Sequence, residues 1–322
     1  MSLGANIRKR RYELNLSQQE LATAMGYKSR STIARIESGE NDVTQSKLRR
    51  FAQVLDTTVE ALLSGEGSLG GGISPEPAPV PSPEGPGRRN RTVAVILAGG
   101  KSVRNHQNIP NQFISILGKP VIVYCLEAYQ NHPAVDDIYI VCLRGWENIV
   151  RAYAEQYHIT KLRDLIPGSS SGILSTKNGL DYVRERYEEE DIIIFQEATR
   201  PMVRVEMISK LLQSCAVNGS ANICQSMRDY VQFTVTDGVA TYVDRDTVVD
   251  LQSPEAYRLS VIESVFRTAE EQNHALSESC CVMLMYNLGF PINFIEGSIN
   301  NIKIVHQEDI AIFTSLLKQE EP

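Results

Sequence analysis

The chain has 322 residues, of which 42% are hydrophobic and 22% are charged, and its formal net charge is −7. This composition is typical of a soluble globular protein, and the length predicts about two domains. No apolar stretch approaches the ~18 residues of a membrane-spanning helix, and the N-terminus turns basic without an apolar segment, so we expect neither a transmembrane span nor a secretory signal. The six cysteines form no CxxC pair, which argues against a disulfide scaffold or a zinc site and favours a reducing, cytoplasmic location.

The first 67 residues differ in charge from the rest of the chain. Residues 1–67 carry ten Lys and Arg against eight Asp and Glu, a net charge of +2, whereas the remainder has a net charge of −9. We therefore predict a small basic domain attached to an acidic one, with different partners for each.

The basic segment has a helical pattern throughout. A capping box over Ser17–Glu20 predicts the start of one helix. Further helices are predicted over residues 29–38, 44–55 and 58–63, where apolar residues recur at helical spacing. Together with the first helix of the chain they predict an all-α domain of five helices.

Residues 3–64 resemble the Cro/repressor-type helix-turn-helix family, through the segments Leu16–Ala22, Gly26 and Ser31–Gly39. The resemblance implies that the second helix of the motif enters the major groove of DNA. A module of net charge +2 neutralises few phosphates, so useful affinity requires two copies and hence a dimer. The alternative is an interaction module whose charges are simply solvated. The DNA-binding candidates are Gln18 near a phosphate, Lys28, Arg30, Ser31 and Thr32 at base edges, and Arg35 at the backbone.

Residues 68–91 are rich in proline and glycine and have no apolar periodicity. Alternating prolines prevent a helix and favour extended polyproline II, so this segment is predicted to be a linker. A PxxP ligand for a partner protein is the alternative.

After residue 92 the pattern alternates between short apolar runs and amphipathic segments. The runs 93–97, 137–142 and 191–195 are rich in β-branched residues, as buried parallel strands are. Between and after them, residues 121–130, 146–157 and 175–186 have helical periodicity. This alternation predicts βαβ units and an α/β domain with a mostly parallel sheet.

The first predicted strand runs directly into a glycine-containing loop, Ala98-Gly99-Gly100, with Ser102 and Arg104 just beyond. Such a loop allows backbone N–H groups to approach phosphates. The spacing fits neither the dinucleotide-binding GxGxxG motif nor the P-loop, so neither of those sites is predicted.

Five segments in order resemble the cytidylyltransferases that act on methylerythritol phosphate and on ribitol phosphate. The segments are Leu97–Pro120, Pro167–Leu180, Phe195–Val203, Asp244–Tyr257 and Glu296–Ile310. The resemblance implies a Rossmann-like nucleotidyltransferase fold over residues 92–322, with an arm near residues 226–250 that joins two subunits. The implied reaction is attack of a polyol-phosphate oxygen on the α-phosphorus of CTP, with Mg²⁺ bridging and pyrophosphate leaving.

The same resemblance assigns roles to single residues, with Arg104 and Lys303 as the catalytic cations and no metal site of the chain's own. Taken one at a time, the alternative for these cations is a plain surface position. The implied triphosphate loop consists of Ala98, Gly99, Gly100 and Ser102, and the implied cytosine site of Ser175 and the backbone near Gly168. The residues implied to face the polyol phosphate or the metal are Glu197, Arg200, Arg245 and Lys303.

Several positions depart from the family's pattern and predict weakened turnover. Asn111 stands in place of a lysine, Ser102 of a loop glycine, Gly172 of an arginine in the base-binding loop, and Gln232 of an arm lysine, while Glu197 replaces an aspartate. Loss of one preorganised charge typically lowers the rate ~10²–10³-fold.

Two functions are therefore open from the sequence. One is a DNA-binding transcriptional regulator whose second domain binds a cytidine nucleotide or a polyol phosphate, since sensing needs affinity but not transition-state stabilisation. The other is an active CTP-dependent cytidylyltransferase for an isoprenoid or cell-wall pathway, with the helical domain as an accessory. A domain that only dimerises, without a ligand, is the third option.

Overall fold

The computed structural model of the protein describes residues 3–14, 16–25, 27, 29–38, 45–55, 57, 61–62, 89–102, 109–226 and 231–320. The Cα positions divide the chain into two compact units, Met1–Gly87 and Arg88–Pro322. Nearly all of the predicted linker, up to residue 88, lies outside the described residues. Within the described ranges, no helix combines the length and apolar character required to cross a bilayer.

The first unit is helical, as predicted. Residues 61 and 62 are also helical, and they are the only described part of the helix predicted over 58–63. The buried faces form one core that includes Ile7, Leu21, Ile33 and Phe51. The helices are α1 (Leu3–Glu13), α2 (Gln18–Met25), α3 (Arg30–Ser38) and α4 (Gln45–Val54).

Two polar arrangements fix the helices of this unit. The predicted capping box is formed, because Ser17 Oγ accepts from the Glu20 N–H at 3.1 Å and the Glu20 carboxylate accepts from the Ser17 N–H at 2.7 Å. A buried ion pair joins α1 to α3, with Arg11 Nε donating to Glu37 Oε1 at 2.6 Å. Gln18 of α2 donates to the same carboxylate at 2.9 Å, so three helices meet at one charged group.

The second unit is an α/β domain with a seven-stranded sheet. Its strands are β1 (Thr92–Ala98), β2 (Ser115–Ile116), β3 (Lys119–Pro120), β4 (Asp137–Cys142), β5 (Leu162–Pro167), β6 (Ile192–Glu197), β7 (Ser220–Ser226), β8 (Gln232–Thr236), β9 (Val239–Val243), β10 (Val249–Arg258) and β11 (Phe294–Glu296). Its helices are α5 (Val121–Asn131), α6 (Glu147–Gln156), α7 (Gly172–Arg184), α8 (Val205–Asn218), α9 (Leu259–Glu271), α10 (Cys281–Asn287) and α11 (Gln307–Glu320).

The main sheet has the strand order β11-β7-β10-β6-β1-β4-β5 and is mostly parallel, as predicted. Strand β1 pairs in parallel with β4 and β6, and β4 with β5. Strand β10 is antiparallel to both of its neighbours, β6 and β7. Two buried hydrophobic clusters cover the two faces of the sheet, which explains why its central strands read as continuous apolar runs.

The predicted elements agree with β1, β4 and β6 to within two residues, whereas α7 begins three residues earlier than the predicted 175. Its start is set by Ser171, whose Oγ accepts from the Leu174 N–H at 3.3 Å. This earlier start brings the first turn of the helix close to the site described below.

The arm predicted near 226–250 contains a separate two-stranded hairpin of β8 and β9. Its turn uses Asp237 and Gly238 at φ 51° and 78°, the left-handed geometry typical of a tight hairpin. Large apolar side chains are exposed along it, including Phe233, Val235 and Tyr242.

Candidate active site

A cavity of about 800 Å³ lies at the carboxyl ends of the parallel strands β1 and β6. The first turn of α7, the middle of β10 and the segment before α11 complete its walls. Open α/β sheets bind their ligands at this edge, so the cavity is where the fold places a ligand site.

The loop after β1 approaches a second loop backbone to backbone. A Cβ built on Gly168 would lie 3.0 Å from the carbonyl oxygen of Cys142 and 3.2 Å from the Cα of Gly99, so a larger residue would require one of these backbone groups to shift. Gly100 has open space beside it, and Lys101 and Ser102 line the cavity. Ala98 is buried at the end of β1 and carries this loop.

Two neighbouring amides, Asn111 and Gln112, connect the loop after β1 to the segment before α11. Gln112 Nε2 donates to the carbonyls of Ala98 at 2.9 Å and Gly100 at 2.8 Å. Asn111 Nδ2 donates to the carbonyls of Ile304 at 3.3 Å and Val305 at 3.0 Å. We call this pair the amide brace. The sequence analysis treated Asn111 only as a missing charge, and it gave Gln112 no role of its own although Gln112 lies in the first segment that carries the resemblance.

The loop before α7 is rich in serine and curves over the cavity. Ser175 is buried, and its Oγ accepts from the Ser169 N–H at 3.0 Å, so this hydroxyl fixes the loop shape. A Cβ on Gly172 would lie 3.2 Å from the Ser279 carbonyl, which leaves little room for a larger residue at that position.

Glu197, Arg200 and Lys303 meet in the same cavity. Arg200 Nε donates to Glu197 Oε2 at 2.8 Å, and Arg200 Nη1 donates to the Asn301 carbonyl at 2.8 Å. Lys303 Nζ donates to Glu197 Oε1. The Arg200 side chain is only 13% exposed, so it is not a plain surface cation. Burial would raise the pKa of Glu197, but the charges of Lys303 and Arg200 hold it below its ordinary value.

The remaining candidates are not part of this cluster. Arg245 is exposed in a short 3-10 turn of the arm and does not line the cavity of its own chain, and Gln232 lies in β8. Arg104 and Lys28 lie outside the described residues.

The DNA-binding candidates that are described lie on α2 and α3. Arg30, Ser31 and Arg35 are exposed on α3, and Thr32 is half-buried there. Gln18 is half-buried and its Nε2 donates to Glu37, so a phosphate contact by this amide would use its second hydrogen.

The sequence reasoning assigned no role to Glu255, which lies on β10 in the wall of the cavity and is 6% exposed. Counted over the described lining, the cavity carries three cations, Lys101, Arg200 and Lys303, and two carboxyl groups, Glu197 and Glu255. Among the described residues, no group of three or more His, Cys, Asp or Glu could hold a metal ion.

Comparisons with known proteins agree with this division of the chain. Residues 92–319 match the family model of 2-C-methyl-D-erythritol 4-phosphate cytidylyltransferase, and residues 7–62 match a helix-turn-helix model. The ribitol-5-phosphate cytidylyltransferase of Lacticaseibacillus paracasei is 30% identical over 230 residues, which cover 71% of this chain and 98% of that protein. The 2-C-methyl-D-erythritol 4-phosphate cytidylyltransferase of Syntrophus aciditrophicus is 28% identical, covering 72% and 97%.

The solved structure of 4-diphosphocytidyl-2C-methyl-D-erythritol synthase from Anaerococcus prevotii has the same fold as the α/β domain. The TM-score is 0.62 at 21% identity, covering 71% of this chain and 96% of that one.

Proposed function

The chain belongs to the 2-C-methyl-D-erythritol 4-phosphate cytidylyltransferase family, and from this membership we propose that its α/β domain binds CTP and a polyol phosphate while its helix-turn-helix domain binds DNA. In this proposal the protein is a transcriptional regulator, and the state of the ligand cavity adjusts its affinity for DNA. A ligand achieves this only if it binds the two states unequally.

The observation that carries the proposal is the convergence of three cations and a glycine loop on one cavity. Lys101, Arg200 and Lys303 come from three separate segments of the chain, yet all line the cavity beside Gly99 and Gly100. Charge-assisted hydrogen bonds from such cations, together with backbone N–H groups, are what phosphate groups require.

Asn111 favours binding over turnover. The resemblance implies a lysine at this position, opposite the triphosphate, whereas the Asn111 amide is buried and bound to two backbone carbonyls. A charge that would stabilise the transition state is therefore replaced by a neutral group with a structural role.

An active cytidylyltransferase is the second candidate, because Arg200 and Lys303 remain directed at the cavity. In that reaction a polyol-phosphate oxygen bonds to the α-phosphorus of CTP, and the bond to the departing pyrophosphate breaks. Since the described residues offer no carboxylate cage, Mg²⁺ would be held mainly by the phosphate oxygens of the nucleotide, a coordination this ion accepts.

The arm supports a dimer. Phe233, Val235, Val239 and Tyr242 are each more than half exposed on one small hairpin, and an apolar surface of this kind marks an interaction site. Pairing through the arm brings two helix-turn-helix domains into one molecule, as two DNA half-sites require.

The decisive experiment uses the full-length protein. Isothermal titration with CTP measures binding, and pyrophosphate release with ribitol 5-phosphate or 2-C-methyl-D-erythritol 4-phosphate and Mg²⁺ measures turnover. We expect binding with little release; rapid release establishes the second candidate. Absence of CTP binding at millimolar concentration refutes both and leaves a dimerisation platform.

DNA binding is measured by fluorescence anisotropy with and without CTP and polyol phosphate. We expect the affinity for a selected operator to change when ligand is present. An affinity that is identical in both conditions removes the sensing part of the proposal.

A further inference from the structure

Glu255 lies in the wall of the ligand cavity, and no ion pair joins it to a cation of the described residues. Glu255 pairs across the sheet with Phe195 of β6 and Asn222 of β7, so it stands on a central strand with sheet on both sides. It is 6% exposed and still lines the cavity. A carboxylate in such a place is costly unless it is paired.

The Tyr257 hydroxyl faces two oxygen acceptors. Asn222 Nδ2 donates to the Asn293 carbonyl at 3.2 Å, which turns Asn222 Oδ1 toward the Tyr257 hydroxyl at 2.8 Å. Glu255 Oε2 lies 3.0 Å from the same hydroxyl. Because Tyr257 has a single O–H hydrogen, it cannot satisfy both acceptors in full. An ionised Glu255 would therefore compete with Asn222 for that hydrogen, whereas a neutral carboxylic acid would donate to Tyr257 O and satisfy all three groups.

The other groups facing Glu255 agree with a neutral form. Burial raises the pKa of Glu255 to about 7, although hydrogen bonds from Tyr257 and Cys281 act in the opposite direction and the charge of Glu197 adds to the rise. Burial also raises the pKa of Cys280, Cys281 and Tyr257, so these groups stay neutral near pH 7. The cations nearest to Glu197, Arg200 and Lys303, are already bound to it.

We propose that Glu255 is a neutral carboxylic acid in the ligand-free protein, and that this proton is required for the cavity to accept a phosphate-bearing nucleotide. The proposal rests on the proposed CTP binding. With Glu255 neutral, the described lining has three cations against one carboxylate; once Glu255 ionises, a second carboxylate stands beside Glu197 and opposes an anionic ligand.

The sign of the pH dependence follows directly. The affinity for CTP is constant below the pKa of Glu255 and then falls by up to about tenfold for each pH unit above it. Glu255→Gln abolishes this loss, since glutamine cannot ionise. Its amide also donates to Tyr257 O as the acid does, so the hydrogen-bond network is retained.

The test is titration of CTP into the full-length protein and into the Glu255→Gln variant between about pH 6 and pH 9. The two proteins are compared because the terminal phosphate of CTP itself gains charge near pH 6–7, so only the difference between their affinities reports on Glu255. We expect equal affinities at the acidic end and at least tenfold tighter binding by the variant at the alkaline end. Glu263→Gln, which changes a half-buried carboxyl outside the cavity lining, should retain the wild-type profile. Identical profiles for wild type and Glu255→Gln overturn the proposal.

A second readout separates this inference from the proposed function. Infrared difference spectra of the ligand-free proteins should show a protonated carboxyl band in the wild type that disappears on raising the pH and is missing from Glu255→Gln. Absence of that band in the wild type refutes a neutral Glu255. If CTP binds at no pH, the proposed function fails, and the infrared band alone decides the protonation of Glu255.

Discussion

Replacement of Asn111 by lysine tests whether one missing charge limits turnover. The change removes the two hydrogen bonds that Asn111 Nδ2 donates to Ile304 and Val305. At about 1 kcal/mol each, their loss lowers the free energy of unfolding by about 2 kcal/mol, which lowers the Tm by about 4–8 °C for a domain of this size. Because Asn111 lines the cavity, the longer side chain can extend into it, and we expect the rate of pyrophosphate release to rise by about 10²–10³.

Asn111→Met is the matched control. Methionine has nearly the same length as lysine and also loses both hydrogen bonds, but it adds no charge, so we expect the same drop in Tm and no gain in rate. Pyrophosphate release and thermal unfolding are measured on both full-length variants with CTP and ribitol 5-phosphate. If the two variants turn over at the same rate while CTP binding persists, the missing charge is not what limits the reaction.

Four further substitutions test other parts of the structure. Lys303→Met removes one of the two cations that hold the pKa of Glu197 below its ordinary value. We expect the Kd for the polyol phosphate, measured by calorimetry, to rise about tenfold. An unchanged Kd would show that Lys303 does not contact the polyol phosphate. Gly168→Ala places a Cβ against two backbone groups and should lower the Tm. Gly100→Ala has open space beside it, so this variant should keep the Tm and weaken CTP binding. Equal Tm values for the two variants would contradict the close approach of the loops. Glu37→Gln breaks the buried ion pair with Arg11 and should lower the free energy of unfolding of the helical unit by about 3–5 kcal/mol. The measurement is the temperature at which the helical circular dichroism of this unit is lost. A decrease in the free energy of unfolding below about 1 kcal/mol would place the pair outside the core.

The sequence was sufficient to predict the main strands and helices, but it did not predict the contacts that polar residues make with distant parts of the chain. The apolar runs predicted β1, β4 and β6 because a buried parallel strand is a continuous apolar run, which can be recognised without knowing which strands it pairs with. Asn111 was interpreted as a missing charge, since its partners Ile304 and Val305 lie 193 and 194 residues away in the chain. Glu255 went unnoticed for a similar reason: its burial and its proximity to Cys281 and Glu197 arise only in the folded domain.

The capping serine of α7 shows a local limit of the same reasoning. The helix was predicted from residue 175, but Ser171 is the residue that satisfies a free N–H of the first turn. Cap residues lie outside the periodic pattern, so periodicity alone places a helix start too late.

The amide brace links two walls of the cavity, the loop after β1 and the segment before α11. One short turn holds the backbone after β1 through Gln112 and the backbone before α11 through Asn111. A displacement of either side therefore strains the bonds to the other, so a movement of the loop after β1 is transmitted to the segment that carries Lys303.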